Sequence, residues 1–337
     1  MASANYTATK AIVDGFEVLR LADAAGKAEA SIVPAIGNIA YEYKVNGRNF
    51  IWAPYALNNL PSSPAFFGNP LMEPWANRLG APAFHANGRK YLLNPGLGNY
   101  VKDDGGLPMH GLLVNSPEWK LTSLQADAAS ASAACRLEFW RHPDLMAQFP
   151  FAHTIEMTHR LKDGGLEVET LLENHSTEPM PVSLGYHPFF QINDAPRDAW
   201  KVHLPAREEM PLSDAYFPTG EMRPLQLTDP APLAGMETIY VLPDLVRGPD
   251  GGAEFWVEGK NERITIIQGP KYPVSVIYAP KGENYICFEP MAATINAMNP
   301  NKDGNPSPLQ SIAPGGTWRE SFWIKFSLIH PNPKDSP

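Results

Sequence analysis

FAHTIEMTHRLKDGGLEVETLLEN, residues 151–174, is the stretch that decides the fold. In its first half Phe151, Ile155, Met157 and His159 fall on one face of an extended chain, and Thr154, Glu156, Thr158 and Arg160 on the other. Asp163-Gly164-Gly165 supplies turn chemistry, and the alternation resumes with Leu166, Val168, Thr170 and Leu172 on one face. A period of two on both sides of a glycine turn reads as an antiparallel hairpin.

The same period recurs outward from the hairpin. Trp318–Leu328 sets Trp318, Phe322, Ile324, Phe326 and Leu328 against Arg319, Ser321, Lys325 and Ser327. Further strands are expected at Ala134–Arg141, Glu262–Gln268, Val274–Ala279 and Asn284–Glu289, with turns at Asn46-Gly47 and Asn87-Gly88. No helical period is sustained. The 35 Pro and 26 Gly are spread along the chain, which suits short strands joined by turns. Two long stretches, Pro54–Pro74 and Asp194–Leu233, lack clear pattern; segments of that length are functional or wrap a sheet surface. No linker divides the 337 residues, so residues 1–337 read as a single all-β domain, a large antiparallel β-sandwich.

Composition narrows the function. A net charge of −9 repels phosphate backbones, so no nucleic-acid partner is expected, whereas a neutral small molecule is compatible. The two cysteines, Cys135 and Cys287, have no metal-type neighbour. Residues 1–14 contain no apolar core of a signal peptide, and no stretch approaches the roughly 18 apolar residues of a membrane span. A cytoplasmic protein without a membrane partner is the expectation.

Three segments carry polar residues where packing alone explains them poorly. In Gly185-Tyr186-His187-Pro188-Phe189-Phe190, the residues Ser183, Gly185 and His187 share a face. Small residues leading to a histidine leave room for a ligand, and Pro188 ends the ladder there. In Tyr285-Ile286-Cys287-Phe288-Glu289-Pro290, Glu289 shares a face with Tyr285 and Cys287. A carboxylate ending an apolar strand is costly unless paired or set in a cleft, and partial burial would raise its pKa toward that of a useful base. Met109-His110-Gly111 follows a turn-rich stretch and by itself suggests a surface loop. The other histidines (His85, His142, His153, His159, His175, His203 and His330) show no metal spacing and read as structural or exposed. Two imidazoles and a carboxylate permit acid/base catalysis on a small ligand; they equally permit a two-histidine, one-carboxylate metal site.

The chain resembles the aldose 1-epimerase (galactose mutarotase) family in four ordered segments. Asn77-Arg78-Leu79-Gly80, with Phe84, Gly88, Tyr91 and Asn94 after it, is similar to one family stretch; Leu107-Pro108-Met109-His110-Gly111 is similar to its L-H-G segment. Gly185 to Phe190 resembles G-x-H-P-Y-F, and Phe288-Glu289-Pro290-Met291 resembles E-P-M-T. The resemblance implies a galactose mutarotase-like supersandwich with no metal or organic cofactor, acting on a monosaccharide as a monomer or homodimer. It implies catalytic roles for Glu289, the base at the anomeric O1 hydroxyl, and His187, the acid at ring oxygen O5, on facing sides of the sugar. It further implies that His110 and Arg78, with Asn77 alongside, bind the sugar and steady charge at O5 and nearby hydroxyls. Where the family carries a sugar-contacting Asp in a D-x-x-F segment, this chain has Glu237-Thr238-Ile239-Tyr240, which makes Glu237 a further substrate-binding candidate. Met72-Glu73-Pro74-Trp75-Ala76 lacks the basic residue many mutarotases carry. The alternatives are a non-catalytic carbohydrate-binding β-sandwich of the same fold and a metal-dependent sandwich, although no His-x-His pair occurs.

Overall fold

The computed structural model describes residues 5–59, 67–301 and 309–329. His330 and part of the unpatterned 54–74 stretch lie outside them. Strands dominate, and the α-helix among the described residues is Pro143–Gln148. No helix of the described residues is long and apolar enough to cross a membrane.

The 151–174 stretch is a hairpin of His153–Lys162 and Gly165–Asn174, paired from His153 opposite Asn174 to Lys162 opposite Gly165. Asp163 and Gly164 both take positive φ, 50° and 73°, the geometry of a two-residue turn that continues the strand twist. The hairpin sits inside a nine-stranded antiparallel sheet. The order is Lys120–Ala126, Ala131–Glu138, His153–Lys162, Gly165–Asn174, Thr317–Leu328, Glu262–Gln268, Ala253–Glu258, Lys201–His203 and Ala231–Pro232. Ile155, Met157, Leu161, Leu166, Val168 and Leu172 are buried as the alternation predicts, and so are Phe322 and Ile324. Leu328, at the strand's end, is exposed.

A six-stranded sheet covers that face. Its main path runs Ile239–Leu242, Val274–Tyr278, Ile286–Met291, Gly185–Tyr186 and Leu71–Met72, with Phe189–Phe190 also paired to Ile286–Met291. Tyr186 packs on Phe322 with ring centroids 4.9 Å apart, and Phe255 on Phe288 at 5.8 Å, so the core lies between the sheets. Each such side chain contributes about 1.5–3 kcal/mol by leaving water. A third, five-stranded sheet of Tyr6–Val13, Phe16–Asp23, Ala28–Val33, Ile39–Val45 and Arg48–Asn49 packs beside the hairpin. Its Tyr43 hydroxyl donates to the Gly164 carbonyl at 2.6 Å, and its Asp23 carboxylate accepts from the Gly164 amide at 2.8 Å.

Three sequence expectations shift. The strand expected over Ala134–Arg141 is Ala131–Glu138; Phe139–Arg141 turns into a 3-10 segment leading to Pro143 at the helix start, which has no N–H for a ladder. The strand expected to end at Glu289 continues through Pro290 to Met291. Asp194–Leu233 is not merely a wrap: Lys201–His203 and Ala231–Pro232 from it extend the nine-stranded sheet at one edge.

Candidate active site

One backbone stretch, residues 70–79, holds both motif histidines. On one flank the Pro70 carbonyl accepts from the His187 amide at 3.0 Å, Met72 pairs with Gly185, and the Ala76 amide donates to the Ser183 carbonyl at 2.7 Å. On the other flank the Glu73 carbonyl accepts from Leu112 at 2.7 Å, the Asn77 carbonyl from His110 at 2.8 Å, and the Leu79 amide donates to Pro108 at 2.9 Å. The chain bends tightly where these contacts meet. Asn77, His110 and Gly111 all have positive φ, at 55°, 60° and 71°. For the two non-glycine residues that conformation costs energy and persists only where surrounding bonds impose it. A Cβ on Gly111 would lie 2.2 Å from the Glu73 carbonyl oxygen, so no other residue fits.

Register brings the acid and base candidates together. In the Ile286–Met291 strand, Cys287 stands opposite Phe189 and Met291 opposite Gly185. Carrying that register across the break at Pro188 sets Glu289 opposite His187, where cross-strand side chains meet. Their Oε1 and Nε2 atoms are 3.3 Å apart, with Glu289 fully buried and His187 nearly so. They therefore lie side by side on one wall, not on facing sides of a ligand. Gly185 also has a different purpose from the one its size suggests. A Cβ there would sit 2.9 Å from the Ala76 Cβ and from the Pro290 carbonyl, so its smallness admits neighbouring backbone, not a ligand.

The pair opens on a cavity of about 420 Å³ that Asn77, Arg78 and His110 also line. Arg78 Nε donates to Asp103 at 2.9 Å and its Nη1 to the Asn77 side-chain oxygen at 3.2 Å; its guanidinium lies over the Tyr216 ring, 5.0 Å from the centroid. The His110 ring meets His187 edge-on with centroids 5.4 Å apart. An aromatic wall completes the cavity. Phe189 stacks on His187 at 4.6 Å, Trp52 stacks on Phe189 at 5.6 Å and meets Tyr285 at 4.6 Å, and Tyr278 stands edge-on to His187.

Burial sets the protonation. It pushes the Glu289 carboxyl well above its usual range, a shift that Arg78 partly opposes. It pulls His187 down to about 4, and pulls His110 well below the usual imidazole range with help from His187 and Arg78. Both shifts run toward the uncharged forms of the pair, because burial penalises charge. A carboxyl and an imidazole 3.3 Å apart are close enough to exchange a proton and titrate as a coupled pair.

Five of the six residues singled out in the sequence thus converge: Asn77, Arg78, His110, His187 and Glu289. Glu237 does not join them. It is exposed, its amide donates to the Tyr240 hydroxyl at 2.9 Å, and its neighbours Thr238 and Ile239 line the cavity instead. Sequence reasoning missed Trp52, Asp104, Tyr216, Thr238 and Tyr278. Tyr216 lies in the unpatterned Asp194–Leu233 stretch, where a functional segment was one expectation, and Thr238 lies beside Glu237 in the segment already singled out; Trp52, Asp104 and Tyr278 carry no local signal. No group of three His, Cys, Asp or Glu residues among the described residues is arranged to hold a metal ion. A larger depression of about 730 Å³ lies on the other side of the His110 segment, lined by Tyr100, Lys102, Gly111, Glu118 and His142. Its nearest acid/base contact, His142 to Glu118, is 3.9 Å long.

Comparison with known proteins agrees with this architecture. The chain is similar to a galactose mutarotase-like protein from Clostridium acetobutylicum, with a TM-score of 0.84 and 21% identity over 96% of this chain and 99% of the other. It is also similar to galactose 1-epimerase from Lactobacillus acidophilus NCFM (TM-score 0.73, 14% identity, 97% and 100% covered). An aldose epimerase homologue from C. elegans gives 0.68 and 18% over 90% and 97%. These likenesses establish the galactose mutarotase-like fold, and the aldose 1-epimerase family model matches residues 20–325, so this chain belongs to the aldose 1-epimerase family.

Proposed function

We propose that the protein interconverts the α and β anomers of a free, uncharged aldose. The observation that carries this reading is the Glu289–His187 contact of 3.3 Å on the wall of a 420 Å³ cavity. Ring opening removes a proton from O1 and delivers one to O5. Both oxygens are bonded to the same carbon, C1, so two neighbouring groups on one wall can serve them both. Glu289 as carboxylate takes the O1 proton while His187 as imidazolium protonates O5, and the C1–O5 bond breaks to leave the open-chain aldehyde. Rotation about C1–C2 exposes the other face of the carbonyl. Closure then runs the transfers backward, with Glu289 returning its proton to O1 and His187 recovering its proton from the attacking hydroxyl. The opened state leaves the proton on Glu289 and none on His187, and burial favours both of these uncharged forms.

The lining supports an uncharged substrate. Arg78 is the cation of this cavity, and Asp103 already pairs with it; Asp104 and Glu289 add acidic groups. A phosphate would call for several unpaired cations. The rings of Trp52, Phe189 and Tyr285 offer an apolar surface for the C–H face of a pyranose.

Polarimetry of freshly dissolved α-D-glucose, α-D-galactose and other aldoses tests the reading. Accelerated approach to equilibrium rotation is expected for at least one sugar. Binding of a sugar without acceleration of any would leave a carbohydrate-binding protein in place of an isomerase.

A further inference from the structure

Tyr216 stands where glycine is usual. Ser213 opens a short hairpin loop: its carbonyl accepts from the Tyr216 amide at 2.8 Å, and its own amide donates to the Phe217 carbonyl at 2.8 Å. Leu212 pairs with Pro218 beyond it. A loop of this length commonly ends on a left-handed residue, ordinarily glycine, and Tyr216 takes that place with a φ of 62°. The other described non-glycine residues with positive φ are Asp, Asn, Lys and His. A bulky aromatic residue in that conformation is strained, and strain of this kind gathers at ligand clamps.

The loop is anchored behind the tyrosine. Leu212 and Phe217 pack on the buried cluster that includes Met72, Ala76 and Met291, whereas Tyr216 is half exposed and lines the cavity. Its ring centroid lies 5.0 Å from the Arg78 guanidinium carbon, within cation–π range. The rest of the grip on Arg78 is at the edge of the guanidinium. Nε is bonded to Asp103 and Nη1 to Asn77, and the Asp103 carboxylate is itself fixed by the Gly105 and Leu107 amides at 3.0 and 2.9 Å. Bonds in the guanidinium plane set where its edge points but leave it soft to swinging out of that plane. A ring against it opposes that motion.

We propose that Tyr216 is a positioning residue for this site: its ring braces the Arg78 guanidinium from the exposed side and holds its donors toward the sugar hydroxyls, and the strained turn is kept because it delivers that ring. This deepens the aldose reading and rests on it for the identity of the ligand. By keeping water off the guanidinium, the ring also strengthens each charge-assisted bond that Arg78 gives a hydroxyl.

Tyr216→Gly removes the ring and the strain together, so a role at Arg78 and a role in the fold leave different signatures. The thermal midpoint should not fall, because glycine adopts this conformation freely. KM should rise roughly three- to thirtyfold, the worth of a cation–π contact, with less change in kcat. Tyr216→Phe keeps the ring and should bring KM back to within about twofold of wild type. A folded Tyr216→Gly enzyme with unchanged KM overturns the proposal. So does a Tyr216→Gly chain that does not fold, which would assign the tyrosine to the fold, or a Tyr216→Phe enzyme as impaired as the glycine variant, which would assign the effect to the hydroxyl. The sugar-free protein supplies a second readout. In ¹H–¹⁵N spectra the Arg78 Nε–H resonance, assigned by its loss in Arg78→Lys, should be displaced by the Tyr216 ring current and should move in Tyr216→Gly but far less in Tyr216→Phe. An Arg78 resonance indifferent to Tyr216→Gly overturns the brace whether or not a sugar is found. A resonance that moves in a protein that accelerates no aldose would instead sink the anomer reading and leave the brace standing.

Discussion

Among the described residues, two buried histidine–glutamate pairs have nearly equal length, and they differ in what surrounds them. Glu73 and His153 are 3.0 Å apart, Glu289 and His187 3.3 Å. His153 is clamped on every side: Phe139 stacks on its ring at 4.2 Å, Phe149 meets it edge-on, and its second nitrogen is bonded to the Phe151 carbonyl. His187 has Phe189 against one face, but the pair opens on the cavity where Arg78 and His110 wait. The same two functional groups thus anchor one part of the fold and present chemistry in another. Access and neighbours decide between these uses, not the pairing itself.

The comparison can be broken most sharply at Glu289. Glu289→Gln keeps size and shape but cannot accept the O1 proton, so kcat should fall about 10²–10⁴-fold in a polarimetric assay. Its urea midpoint should not drop, since a neutral amide is no costlier to bury than the protonated carboxyl. Near-normal turnover would remove the distinction between the pairs.

His153→Leu should show the opposite profile. It strands Glu73 in the interior, and breaking a buried pair by removing one partner costs about 3–5 kcal/mol, measurable by denaturant unfolding. Turnover per folded molecule should change far less than in Glu289→Gln. Replacing Glu73 with Met as well should recover much of the loss; failure to recover would mean the pair does more than anchor.

The pH dependence of stability sharpens the comparison further. Glu289 has a raised pKa in the folded state, so the native protein binds the extra proton there and stability is lost as pH rises from about 4.5, the carboxyl's ordinary value, through the folded value. His187 and His159 are lowered, to about 4 and about 3, so each contributes stability that is lost as pH falls below its ordinary value of 6.5. Glu289→Gln isolates the first effect. The stability of wild type minus that of the variant should decline by up to about 1.4 kcal/mol per pH unit above pH 4.5. A flat difference would mean that Glu289 is ionised in the empty site.

The smallest effects are expected at the segment where the family pattern breaks. Thr238→Val should lower kcat/KM by roughly two- to tenfold if its hydroxyl bonds the sugar. Glu237→Gln, altering an exposed side chain outside the lining, should change kcat/KM by less than twofold, as surface substitutions usually do. A larger loss in Glu237→Gln than in Thr238→Val would bring Glu237 back as the sugar-contacting residue.

Much of this was legible along the chain, for reasons that are local. The 151–174 hairpin declares itself because one face is buried and the turn needs two residues at positive φ. Glu289 and His187 stand out as polar residues in short strand-end segments, whereas His110, Arg78 and Asn77 were singled out by the resemblance to the aldose 1-epimerase family. The contact between Glu289 and His187 was not visible, because it depends on a register shared by strands almost a hundred residues apart in sequence. Glu237 lies outside the lining that its neighbours Thr238 and Ile239 join, since the side of an irregular segment that faces a cavity follows from backbone geometry that carries no periodic signal.

The place of Thr317–Leu328 in the nine-stranded sheet has a consequence for how the molecule is made. This strand lies between Gly165–Asn174 and Glu262–Gln268, joining a block of four strands to another block of four. Until the ribosome has delivered it, each block presents an unpaired edge, the one long and the other rich in β-branched residues, to the other and to any similar chain nearby. The wrong pairing, Gly165–Asn174 directly with Glu262–Gln268, is then open to the nascent protein. Correct assembly requires that the gap be kept until its proper occupant arrives, which makes the two blocks a point where a chaperone would be most useful during synthesis.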